Sequence, residues 1–184
     1  MYDLYRELTL NQFHATLAMF GNTIDQCPPD QWHAKIARLT FNQAAFHALF
    51  FTDVYLGPDL KSLREQPFHH EHAAVFADYE ELEDRAPQAG YEKSFIQAYV
   101  LHCKEKAARV INSESPEDLQ RRPGFDWQDF SRAELHVYNL RHLQHHAAHL
   151  SLHLRRNTAV DVPWVRSRWP DDPTTTFISR ATSS

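Results

Sequence analysis

Leu4, Leu8, Phe13, Leu17, Phe20 and Ile24 recur three to five residues apart, the spacing that gathers apolar side chains on one face of an α-helix. The pattern predicts a helix over about residues 3–26, stopped by Cys27-Pro28-Pro29, with Trp32 folded back onto the core from the connector. A second run, Phe41, Phe46, Phe50, Phe51, Val54 and Tyr55, predicts a central helix opened by Thr40 as N-cap and closed by Gly57-Pro58. Helical spacing returns over about 91–111. It returns again from Ser131, which matches a capping box with Glu134, to Arg156-Asn157, where basic residues suit the negative end of the dipole.

Between residues 57 and 90 the periodicity lapses. Pro58, Pro67 and Pro87 punctuate this stretch, which carries His69-His70-Glu71-His72 and the acidic run Glu80-Glu81-Leu82-Glu83-Asp84. One short extra helix over about 72–85 is expected here, with the histidine cluster in a solvated loop. The four long amphipathic segments predict an all-α fold, a four-helix bundle occupying residues 1–160. Residues 161–184 form a C-terminal tail, part of the same domain or of a dimer contact.

Composition narrows the picture. Glycine occurs only four times in 184 residues, which favours helices over a turn-rich sheet. A formal net charge of −5 argues against nucleic acid as a partner, and Arg155-Arg156 reads as a solvated helix end. The two cysteines, Cys27 and Cys103, have no metal-knuckle or disulfide-framework spacing. The start, Met1-Tyr2-Asp3-Leu4-Tyr5, lacks a secretion pattern and no apolar run reaches membrane-spanning length, so a cytoplasmic protein without membrane contact is expected.

The candidate chemistry lies in the fourth long segment. His142, His146, His149 and His153 form one helical stripe, with His145 at its edge, beside the apolar set Leu140, Leu143, Ala147, Leu150 and Leu154. Ordinary hydrogen bonds satisfy many core histidines, yet a His pair at i, i+4 also grips one ion from one helix. A catalytic site needs a third protein ligand. His47, the one histidine in the apolar second segment, is the best candidate, with His14 and His102 as rivals. Glu-x-x-His pairs, His-Glu-x-x-His, glycine-rich phosphate loops and Gly-x-Ser-x-Gly elbows do not occur.

The stretch 138–156, "YNLRHLQHHAAHLSLHLRR", resembles the histidine-rich last long helix of the DinB/YfiT-like superfamily, and 29–56 resembles that family's second-helix region. The resemblance covers most of residues 1–160. It implies a four-helix bundle, often a homodimer, that binds a divalent ion such as zinc or nickel through His47, His142 and His146. Some members are thiol-dependent transferases or hydrolases that use a low-molecular-weight thiol as small-molecule substrate. His149 stands where the family commonly has glutamine, which leaves it as an extra ligand, or with His145 as a proton shuttle or orienting group.

Two functions follow as expectations. In a metalloenzyme, three neutral imidazoles leave the charge of the ion intact, together with an open position for water or a thiol. In the alternative, a non-catalytic or stress-related dimeric bundle uses the histidines structurally, and a fourth protein ligand such as His149 closes the site.

Overall fold

The computed structural model describes residues 1–76 and 89–168. In chain order these form α1 (Tyr2–Gln26), β1 (Lys35–Ile36), β2 (Leu39–Thr40), α2 (Phe41–Leu56), α3 (Leu60–Glu65), α4 (Pro67–Glu71) and α5 (Ala73–Phe76). After the gap come α6 (Lys93–Ser113), α7 (Pro116–Gln120) and α8 (Arg132–Asn157). The protein is mostly helical. The two strands make one short antiparallel ribbon pairing Lys35 with Thr40 and Ile36 with Leu39, and Ala37 takes a φ of 52° between them.

The four long helices surround a common core. Helix α1 packs on α6 and α8, and α2 packs on the same two. Phe13, Leu17 and Phe20 from α1 are fully buried, as are Phe41, Phe46 and Leu49 from α2, Ile96 and Tyr99 from α6, and Leu135, Leu143 and Leu154 from α8. Trp32 is buried as expected, its indole Nε1 donating to the Tyr91 carbonyl at 2.8 Å. Thr40 and Gln43 form a capping box at the start of α2, and Ser131 accepts from the Glu134 amide at the start of α8.

Two side-chain ties set how α2 lies along α8. The Arg132 guanidinium donates to the carbonyls of Tyr55, Leu56 and Gly57 at 2.7–2.8 Å and, through Nε, to Glu114 at 2.7 Å. It thereby satisfies the carbonyls that the end of α2 leaves without helical partners. Two turns further along α8, Asn139 donates to the Thr52 carbonyl at 3.0 Å. A buried ion pair ties α2 to α6: Lys106 Nζ stands 2.5 Å from Asp53 Oδ1, and the Tyr99 hydroxyl and Gln66 amide donate to Oδ2.

Three expectations need correction. Leu4 and Leu8 are 56% and 54% exposed. The first turns of α1 turn Tyr2 and Tyr5 inward instead, whose hydroxyls donate to the carbonyls of Glu114 and Ala133. The connection after α2 holds two further short helices, α3 and α4, ahead of the one expected over 72–85; α5 falls within that expected span, whose remainder lies outside the described residues. Nor is the His69–His72 stretch a solvated loop. Phe68 in α4 stacks on His102 at 4.3 Å and Tyr99 at 5.1 Å, and His69 stacks on Phe76 at 4.4 Å, so aromatic burial fastens the segment to α6. The expected tail is described only as far as Arg168, whose amide donates to the Asn11 carbonyl at 3.0 Å. No helix among the described residues is long and apolar enough to cross a membrane.

Candidate metal centre

His47 lies in α2 between the buried residues Phe46 and Ala48. The apolar periodicity that buries Phe46, Phe50 and Val54 turns its neighbour at 47 toward α8. On α8, one turn separates His142 from His146, and both flank the buried line of Leu143, Ala147 and Leu150. Where the two helices meet, one ring nitrogen from each of His47, His142 and His146 lies within 4.8 Å of the others. His142 Nε2 is 3.4 Å from His47 Nε2. Ring centroids are 4.6 Å apart for His47–His146 and for His142–His146, and 5.3 Å for His47–His142.

Phe51, one turn after His47, walls the cluster. Its ring meets those of His47 and His142 edge to face at 5.2 Å and 5.6 Å. Burial, reinforced by the neighbouring histidines, pushes the His142 imidazole down to about 4 and that of His146 down to about 3. Both rings are therefore neutral at pH 7 and keep a lone pair. That is the donor set a cation needs, and the three residues can hold a metal ion. His142 Nδ1 is buried with no hydrogen-bond partner among the described residues.

The other histidines fall elsewhere. His145 and His149 are exposed and point away from α2, with ring centroids 5.3 Å and 6.3 Å from that of His146. His153, which shares the sequence stripe, bonds Gln31 Oε1 through Nε2 at 3.0 Å. His102 faces Asp53 at 3.4 Å, and neither it nor His14 joins the cluster. Both thiols are buried: desolvation pushes Cys27 up to about 11 and Cys103 well above the ordinary thiol range. Neither is a ready thiolate.

Sequence reasoning missed Phe51 as the wall of the cluster and missed both buried ionic ties. Asp53 carried a usable signal, because a carboxylate inside the apolar run Phe50-Phe51-Thr52-Asp53-Val54-Tyr55 requires a buried cationic partner. Lys106 gave none of its own. A groove of about 580 Å³ runs past the cluster on the α1 side, lined by Gln12, Thr16, Tyr138, Arg141, His142 and Trp164 among others.

Fold and site together define a mostly helical protein with a three-imidazole cluster clasped between two long helices. No protein-family profile, characterised protein or solved structure matches the chain.

Proposed function

We propose that the protein is a divalent-metal-binding four-helix bundle of the DinB/YfiT-like type. It acts as a metal-dependent enzyme of the thiol-dependent transferase or hydrolase class. The observation that carries this reading is the convergence of His47, His142 and His146 from two helices, with two of the three rings held neutral by burial.

His47, His142 and His146 would hold the ion. The neutral nitrogen set suits zinc or nickel better than magnesium or calcium, which take oxygen ligands. When bound, the ion supplies Lewis-acid chemistry, lowering the pKa of a water or thiol that it meets. Among the described residues no fourth histidine, cysteine or carboxylate joins the group, which supports an open position and weighs against the purely structural alternative. Phe51 screens the cluster from water on one side, and the groove past His142 has the volume of a small-molecule site. Arg141 and Gln12 in that groove offer donors for a polar substrate such as a low-molecular-weight thiol. A homodimer and a cytoplasmic location belong to the same reading through the family resemblance.

Elemental analysis of untagged protein, beside the His47→Ala variant, tests the core of this proposal. About one divalent ion per chain, lost in the variant, supports it. Protein that carries no ion and takes none up on titration with zinc or nickel overturns it.

A further inference from the structure

Helix α8 carries six histidines, and two of the four outside the cluster are already engaged. His136 Nε2 stands 2.6 Å from Glu114 Oε2, and His153 is held between Gln31 and Asn157. His145 and His149 are different. Both are exposed, neither ring is tied by a hydrogen bond among the described residues, and they pack on each other with centroids 4.0 Å apart.

Their placement follows from helix geometry. Each residue turns about 100°, so a step of three falls about 60° short of a full circle. His145 is therefore displaced by about 60° from His142, and His149 by the same angle from His146. The pair repeats the i, i+4 spacing of the ligands one strip further from α2. Exposure makes its desolvation cost small, and the untethered rings are free to turn a nitrogen each toward a shared point.

The geometry points to a second cation site formed by His145 and His149, which takes a borderline transition-metal ion such as zinc, nickel or copper. Two imidazoles chelate the ion from one helix and solvent fills its remaining positions. Hard cations that demand oxygen ligands are poorly served there. Binding is weaker than at the three-histidine cluster, because one ligand fewer is supplied. Arg141, one turn before His145, and an ion already in the cluster both oppose a further positive charge. The pair needs no ion in the cluster, although His145 lines the same groove that runs past His142.

Imidazole nitrogen–proton NMR of the full chain during zinc titration tests this. In the wild type, resonances of His145 and His149 should move together in a step distinct from that of His47, His142 and His146. His149→Gln, an exposed helical substitution, should weaken the His145 step on the order of tenfold or more and leave the cluster step in place. His145 and His149 that never respond together up to millimolar zinc would overturn the second site. So would loss of the cluster step in His149→Gln, which would make His149 a ligand of the same ion. If the paired step persists while the wild-type cluster never responds, the second site stands and the proposed function falls.

Discussion

His142 Nε2 lies 3.4 Å from His47 Nε2 across 95 positions of sequence. At that separation only one of two neutral imidazoles can donate to the other, while a cation between them satisfies both lone pairs together with that of His146. Binding should therefore stabilise the folded chain by about 2.7 kcal/mol at a free zinc concentration one hundred times the dissociation constant. His47→Ala and His142→Ala should abolish that gain and still unfold cooperatively without metal. Denaturant unfolding with and without zinc checks both; an undiminished gain in His142→Ala would remove this residue from the ligand set.

The Asp53–Lys106 pair makes a second prediction. Lys106→Met leaves the Asp53 carboxylate buried without its ammonium partner and should cost about 3–5 kcal/mol. Adding Asp53→Asn to that variant removes the stranded charge and should recover a large part of the loss. A double-mutant cycle by urea unfolding reads the coupling directly; additive losses would mean that the pair is not coupled.

Acid should weaken the same tie. Burial alone raises the Asp53 pKa, but the His102 hydrogen bond and the Lys106 charge together outweigh it and hold the carboxyl below its usual 3.8. A depressed acid stabilises the fold fully above its unfolded value, and that contribution disappears as pH falls through the folded one. The unfolding free energy of wild type relative to Asp53→Asn should hence stay level above about pH 5 and shrink below about pH 4. Chemical denaturation from pH 6 to 3 measures it, and a gap that widens toward acid would reverse the assigned sign.

Arg132 offers a test of long-range positioning. Its guanidinium spans three carbonyls at the end of α2 and the Glu114 carboxylate, a fork that an ammonium cannot reproduce. Arg132→Lys should lose about 2–4 kcal/mol of stability, since hydrogen bonds to charged groups contribute about 1.5–3 kcal/mol each and some are retained. It should also weaken metal affinity, because the end of α2 is then held less firmly against α8. Calorimetric titration with zinc beside thermal unfolding separates the two effects. Stability loss at unchanged affinity would show that the α2–α8 register survives without the fork.

Helix boundaries were readable wherever the controlling groups are local. Thr40 and Gln43 cap α2 from within its own first turn, and Ser131 does the same for α8. The start of α6 was less legible: spacing suggested residue 91, while the helix begins at Lys93. Tyr91 is spent elsewhere, its ring stacked on Phe46 at 4.1 Å and its amide donating to Asn42. A contact reaching back 49 residues leaves no trace in local periodicity.

The histidines divide along the same line. One stripe held His142, His146, His149 and His153, and helical spacing treats them as equals. The tertiary structure separates them: His142 and His146 converge on His47, while His149 is exposed and His153 meets Gln31 and the Phe41 ring at the start of α2. By itself the sequence determined a mostly helical chain, the approximate extents of its long helices and which of them carry imidazoles, since backbone bonds within a helix and its caps join near neighbours. Tertiary packing alone decided which nitrogens converge, that Asp53 meets Lys106, and that Leu4 and Leu8 stay exposed. Those outcomes depend on how helices rotate and slide against one another, and that is set by side chains far apart in the chain.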